Sequence, residues 1–333
     1  MPTLNFSNVK VGDVLELNFG LVPINKNSVK LTIGNVPATL TGTWNENYTK
    51  FKVASITKDS TIAMIATGSN DIVFDNLVLG STFTFGKHQV NTETPWDIKW
   101  EIVHQEDGYQ IAQTVQLIDA RAFDGIEASN SDTNRQKYGN NNWKLSNIRQ
   151  WLNSDASAGN WYSAQHSADA PPTNANTAND DTGYDTRPGF LYHFTTAQKS
   201  AMLNFDLTLK IPTVDGGGSH VVSQKVFLPT MTQVGLGANE GVTEGTVFSK
   251  YNGVENSVRV KTLHPNVVAN SGFSRIDFIA NGAWNWWLSS CDTNSYRAWR
   301  VSSSGDLISY YARTGSNPLA PCIVLPRTGK CSG

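Results

Sequence analysis

Three tryptophans stand within four positions, Trp284, Trp286 and Trp287, at the head of the stretch ANGAWNWWLSSCDTNSYRAWRVSSSGDLISYYARTGSNPLAPCIVL, residues 280–325. Side chains of this bulk bury much apolar area and fix whatever packs on them. They predict the core of a domain that has few aliphatic side chains with which to close itself. Successive residues of a strand face opposite ways, so Trp286 faces away from Asn285 and Trp287. At least one of the tryptophans then points outward or lies beneath a loop, and core packing is preferred over stacking on a ligand.

The residues that follow are of another kind. Asp292 to Arg297 reads as a turn-rich hairpin tip, and Trp299 to Ser304 and Ser309 to Arg313 continue it as adjacent strands. Tyr, Ser, Asn and Arg are the types used where a surface needs rigid amphipathic area together with adaptable hydrogen bonding. Alternation predicts that Trp299, Val301 and Leu307 pack while Arg300, Ser302 and Asp306 face outward. The candidate ligand-binding residues are Asp292, Asn294, Tyr296, Arg297, Trp299, Arg300, Ser302, Tyr310, Tyr311 and Arg313. The competing reading is a solvated β surface with no ligand, since Ser and Thr are ordinary on exposed strands.

Charged residues make up only 16% of the chain against 10% aromatic, so amides and hydroxyls supply most of the polarity. With Lys+Arg 26 and Asp+Glu 28 the net charge is -2, too small a field to attract a phosphate backbone by counterion release. Nucleic acid is not expected as a partner. No run approaches the roughly 20 apolar residues of a membrane span, so membrane insertion is not expected either. The start, MPTLNFSNVKVGDV, has neither a positive n-region nor an apolar h-region. The expectation is a chain made in the cytoplasm and released without a signal peptide. Cys291, Cys322 and Cys331 are too few and too clustered for a secreted disulfide framework. Cys291 and Cys322 are candidates to meet across a sheet, but small buried thiols are the commoner case.

Length suggests two domains. Residues 1–80 show short period-2 runs, VLELNF, VKLTI, ATLTGTW, KFKVA and TIAMIA, between turn-rich segments, which predicts a small all-β, sandwich-like domain used for attachment. Residues 81–333 change character. Strands are expected around Phe83, over Trp100 to His104 and over Tyr109 to Ile118, with a hairpin turn at Glu106, Asp107 and Gly108. Leu145, Ile148 and Leu152, with Trp151 beside them, predict a short amphipathic helix. Thr195 and Gln198 stand at capping-box spacing and predict a second. KVFLPT is a buried-strand candidate, and residues 154–189 read as a long loop. The fold class is α+β.

Chemical motifs are sparse. Asn179, Asp180, Asp181 and Asp185 offer oxygen atoms to a calcium ion, but their spacing fits no EF-hand and a solvated loop is preferred. No cofactor is expected. The six histidines lack metal-ligand spacing. No GxSxG elbow or catalytic-cysteine signature is present. Asp119 and Asp124 form a conceivable acid pair for glycoside hydrolysis, yet IDARAFD is better read as carboxylates that cap turns or pair with Arg121. The chain is not expected to be an enzyme.

The order FGKHQ, PWDIKWEIV, IDARAFD, YGNNNWKLSNIRQWLNS, PGFLYHFT, VFLPT, WNWWLSS, AWRVSSSGDL and APCIVL, over residues 80 to 326, resembles a family of domains common in Firmicutes and their phages. The C-terminal half of that family is similar to the variable proteins of diversity-generating retroelements and other C-type-lectin-like domains. The resemblance implies a twisted antiparallel sheet, two short helices and much loop carrying a recognition surface. Some members are phage tail receptor-binding proteins or bacterial adhesins. The sequence departs from calcium-dependent lectins in lacking their Trp-Asn-Asp and Glu-Pro-Asn or Gln-Pro-Asp triplets. It does not reproduce the reactive cysteines of the formylglycine-generating class. The resemblance implies a receptor-binding protein of a phage tail or tail-like bacteriocin, joined by its first domain to tail or baseplate proteins. Its partner would be a bacterial cell-surface glycan or protein. Such proteins are commonly symmetric, and a homotrimer is expected. The rivals are an exported surface adhesin and a hydrolase of wall polysaccharide.

Overall fold

The computed structural model describes residues 71–178, 183–270 and 282–331, together with seven strands ahead of them. The chain divides into two compact units, Met1–Asn76 with Thr328–Gly333, and Leu77–Arg327. In the first unit Thr3–Val9, Ser60–Ala66, Val29–Ile33 and Val36–Ala38 lie in that order in an antiparallel sheet. Glu16–Asn18, Lys50–Val53 and Gly42–Trp44 form a second, three-stranded one. The expected second domain ran to residue 333. In the structure Lys330–Cys331 pairs antiparallel with Ile72–Val73, and Phe74 N donates to Gly329 O at 2.8 Å, so the end of the chain returns to the first unit. A two-residue strand leaves no period to read, and its partner lies far off in sequence.

The second unit is α+β: short helices set against antiparallel sheets. Its largest sheet runs Val226–Phe227, Cys322–Pro326, Tyr109–Thr114, Trp96–Glu106 and Thr82–His88, all antiparallel. Asp107 and Gly108 make the tight turn between Trp96–Glu106 and Tyr109–Thr114, Gly108 at φ 85, which a glycine adopts without strain. Phe85, Ile98, Trp100, Ile102, Ile111, Val324 and Leu325 are buried along this sheet, and the Trp100 indole donates to Phe85 O at 2.6 Å. The predicted helices form over Asn147–Leu152, capped by Ser146, and Thr196–Ala201, which carries the full capping box of Thr195 and Gln198. The long loop is packed rather than loose where it is described. Trp161 stacks on Tyr184 at 5.3 Å, and the buried Tyr184 hydroxyl donates to Ala122 O.

IDARAFD crosses the middle of the unit and is sealed inside it. Asp119 is fully buried, with His88 Nε2 at 2.8 Å and Arg121 Nη2 at 3.1 Å from its Oδ2. Trp96, Trp151 and Phe190 surround His88. Asp124 is only 1% exposed, so neither member of the conceivable acid pair reaches solvent. All three cysteines are buried, and Cys291 and Cys322 are free thiols that do not meet in a bridge. No described helix is long and apolar enough to cross a membrane.

The tryptophan segment forms the strand Trp286–Cys291 of a three-stranded antiparallel sheet, followed by Arg297–Val301 and Leu307–Tyr311. Both Trp286 and Trp287 are fully buried on opposite faces. Trp286 donates to Arg259 O at 3.1 Å and Trp287 to Arg121 O at 3.0 Å, so the sheet is covered on each side at this strand. Trp284 alone of the three is half-buried, its indole donating to Ser316 O. Each of the other two indoles places the bulk of a large side chain in the core while its N–H finds a carbonyl, the arrangement a buried tryptophan requires.

Candidate functional site

The turn after Trp286–Cys291 is built from its own side chains. Asp292 Oδ1 accepts from Thr293 N at 2.6 Å and Oδ2 from Asn294 Nδ2 at 3.0 Å. Asn294 Oδ1 in turn accepts from Tyr296 N at 3.0 Å and Arg297 N at 2.6 Å. Asx side chains that mimic backbone in this way fix a turn locally. A second segment then clamps it from outside. Asn141 Nδ2 donates to Asn294 O at 2.5 Å and Arg297 O at 2.7 Å, and Arg135 Nε donates to Ser295 O at 3.1 Å. Arg135 is itself held by both oxygens of Asp215, at 2.7 and 2.9 Å.

The clamp brings Tyr138 to the hairpin. Gly139 stands at φ 81 and ψ 176, a region essentially reserved for glycine. A Cβ there would lie 2.8 Å from Asp124 O and 3.0 Å from Arg313 N. The close approach lets Arg313 N donate to Tyr138 O at 2.9 Å. The Tyr138 ring stacks on Tyr311 at 4.4 Å and lies 5.1 Å from Tyr296, with Tyr296 and Tyr311 5.9 Å apart. Guanidinium groups border this trio. Arg297 sits 4.8 Å over Tyr311 and 5.9 Å from Tyr296, and Arg313 lies 5.8 Å from Tyr138. The surface continues through Tyr310, 5.4 Å from Tyr311 and 41% exposed, on which Arg300 rests at 4.3 Å.

The expected residues are thus divided. Tyr296, Arg297, Tyr310, Tyr311, Arg313 and, through Tyr310, Arg300 come together. Asp292 and Asn294 are held within the turn they form. Ser302 is buried, its hydroxyl accepting from Ser304 N and Asp306 N in the next turn. Trp299 is half-buried outside the ring cluster. The simple alternation of packing and open faces does not hold either. Trp299 and Leu307 remain partly exposed, and Ser302 is covered because it lies past the end of the strand Arg297–Val301, in the turn whose backbone its hydroxyl binds. Tyr138, Gly139 and Asn141 were not foreseen as site residues. Their signal was the motif YGNNNW, whose consecutive amides point to backbone clamping once a partner segment is known.

Electrostatically the surface gathers three guanidinium groups, none of which has a carboxylate within ion-pair distance among the described residues. The Tyr311 hydroxyl, 3.4 Å from Arg297 Nη2, raises the affinity of Arg297 for its proton. Burial pulls Arg300 down to about 10, which leaves it charged at neutral pH. The acidic loop, read as solvated in preference to calcium-binding, contributes only Asp185 to the described residues, in a cleft with Thr173, Asn174, Gly183 and Arg187; Asn179, Asp180 and Asp181 lie outside them.

A family model described as a domain of unknown function, DUF6273, matches residues 113–327, well over half of the chain. The chain belongs to the DUF6273 family. No curated protein and no solved structure matches it. The DUF6273 region ends at Arg327, where the second unit also ends, and it contains Tyr138, the clamp and all ten residues singled out from the sequence.

Proposed function

We propose that this DUF6273 protein is a receptor-binding protein of a phage tail or phage-tail-like bacteriocin, with a C-type-lectin-like second unit that recognises a bacterial cell-surface glycan or protein. The observation that supports this reading is the single surface made by Tyr138, Tyr296 and Tyr311 with Arg297 and Arg313. Tyr and Arg are the side chains that dominate binding energy at recognition surfaces. Here they are ordered before any partner arrives, by an Asx-built turn, an external asparagine clamp and ring stacking. Preorganisation of this kind lowers the entropic cost of association. Repetition of the surface in a symmetric oligomer would convert weak single contacts into avidity.

The test is adhesion of fluorescent protein to a panel of bacterial strains, with a Tyr296→Ala, Arg297→Ala double variant alongside. Loss of a hot-spot pair is worth roughly 2 kcal/mol or more, on the order of 30-fold in affinity. A variant that adheres as well as the parent would remove the site from the hypothesis. Failure of the parent to adhere to any strain would remove the function. Release of soluble sugar from the cells would instead favour the hydrolase.

A further inference from the structure

We infer that the surface takes an anionic sugar polymer, one carrying phosphate or carboxylate groups, with Arg297, Arg300 and Arg313 supplying the counter-charge. The inference rests on the receptor-binding reading and narrows its ligand class. Among the described residues no carboxylate lies within ion-pair distance of any of the three arginines. The structural arginines differ. Arg121 holds Asp119 at 3.1 Å and Arg135 holds Asp215 at 2.7 Å. The nearest acid in the turn, Asp292, is already engaged at both oxygens by Thr293 and Asn294.

The guanidinium groups are also partly desolvated without full compensation. The buried Nε atoms of Arg297 and Arg300 have no hydrogen-bond partner among the described residues. Arg300 has the neutral Asn317 amide oxygen for a side-chain partner, and Arg297 the neutral Tyr311 hydroxyl at 3.4 Å. Removing a cation from water without an opposite charge is unfavourable, and an incoming anion supplies what is missing. The planar fork of arginine suits phosphate and carboxylate because it meets two oxygens at once.

Ring geometry argues in the same direction. A neutral sugar held by aromatic stacking needs an open ring face. Tyr138 and Tyr311 turn theirs to one another at 4.4 Å, Arg297 covers Tyr311, and Arg300 covers Tyr310. The rings therefore serve to aim the guanidinium groups through cation–π contact. The N–H donors of the half-buried Arg297, Arg300 and Arg313 that no described residue accepts are what remains for a ligand. Since the whole chain is at -2, the attraction is confined to this surface and is not a property of overall charge.

The experiment measures retention of the full chain on dextran phosphate, carboxymethyl dextran and neutral dextran, at salt from about 50 mM to about 500 mM, where screening shortens to a few ångströms. Retention on a charged dextran is expected to exceed that on neutral dextran tenfold or more and to fall steeply with salt. The triple variant Arg297→Gln, Arg300→Gln, Arg313→Gln is expected to lose it. Arg297→Lys, which keeps charge but not the fork, should lose part. Near-ultraviolet circular dichroism and the thermal transition check that each variant is folded, and a triple variant that does not fold passes the decision to the Lys variant and the salt series. Preference for dextran phosphate assigns phosphate, and preference for carboxymethyl dextran assigns carboxylate. Equal retention on all three, or none on any, overturns the inference. Adhesion to cells that is salt-insensitive but lost in Tyr296→Ala, Arg297→Ala would overturn the anionic ligand and leave receptor binding standing.

Discussion

Asp124 lies under the candidate surface, its carbonyl facing Gly139 and its carboxylate almost wholly removed from solvent. Oδ1 accepts from Gly125 N at 3.0 Å, while Oδ2 is buried with no hydrogen-bond partner among the described residues. Burial first, then the charges of Glu127 and Asp169, hold its carboxyl well above the usual carboxylate range despite the backbone donors. An acid whose folded pKa exceeds its unfolded value of about 3.9 binds more protons folded than unfolded between the two. Its contribution to stability therefore falls as pH rises through that window. Asp124→Asn keeps an acceptor at Oδ1 and removes the charge, so it should stabilise the protein by roughly 1–3 kcal/mol near neutral pH. The gain should shrink as pH falls toward about 4. Urea unfolding of both proteins across this range checks it, and curves that stay parallel would mean that Asp124 ionises freely in the fold.

The hairpin tip is an element whose order comes from two sources that can be separated. Its internal Asx bonds from Asp292 and Asn294 are local, whereas the clamp from Asn141 arrives from a segment some 150 residues earlier. Asn141→Ala leaves the carbonyls of Asn294 and Arg297 without that donor. The expected result is faster amide exchange over residues 292–298, with the amides of Trp286–Cys291 unchanged, since that strand is fixed by the buried tryptophans. Adhesion should weaken in parallel by roughly tenfold, the equivalent of about 1.4 kcal/mol of lost preorganisation. Unaltered exchange at the tip would show that the turn's own side chains suffice. The helix Thr196–Ala201 is the contrasting element: both bonds of its capping box come from within four residues, which is why it could be read from Thr195 and Gln198 alone.

At the scale of the molecule the second unit is one continuous stretch of chain and the first is not. The strand Lys330–Cys331 belongs with Ile72–Val73, so the first unit is closed by the last residues of the chain. Truncation after Arg327 should lower the unfolding transition of the first unit and leave that of the second in place, because Cys322–Pro326 still pairs with Tyr109–Gln113. Calorimetry of the parent and the truncated chain checks it. A second-unit transition that falls with the truncation, or a first-unit transition that does not move, would contradict the division.

The sequence by itself determined the features whose causes are local: period-2 strands, the Asp107-Gly108 turn, two capped helices, and an aromatic core announced by Trp286 and Trp287. Each follows from neighbouring side chains acting on their own backbone. Composition likewise marked Tyr296, Arg297, Tyr310, Tyr311 and Arg313 as surface builders. Only the tertiary structure decided that they share one surface, that Tyr138 completes it, and that Asp292, Asn294 and Ser302 are occupied by turns. It alone covered both faces of the tryptophan strand and carried the chain's end back to the first unit. Stacking of rings and clamping of carbonyls join residues remote in the chain, and no local period records such a meeting.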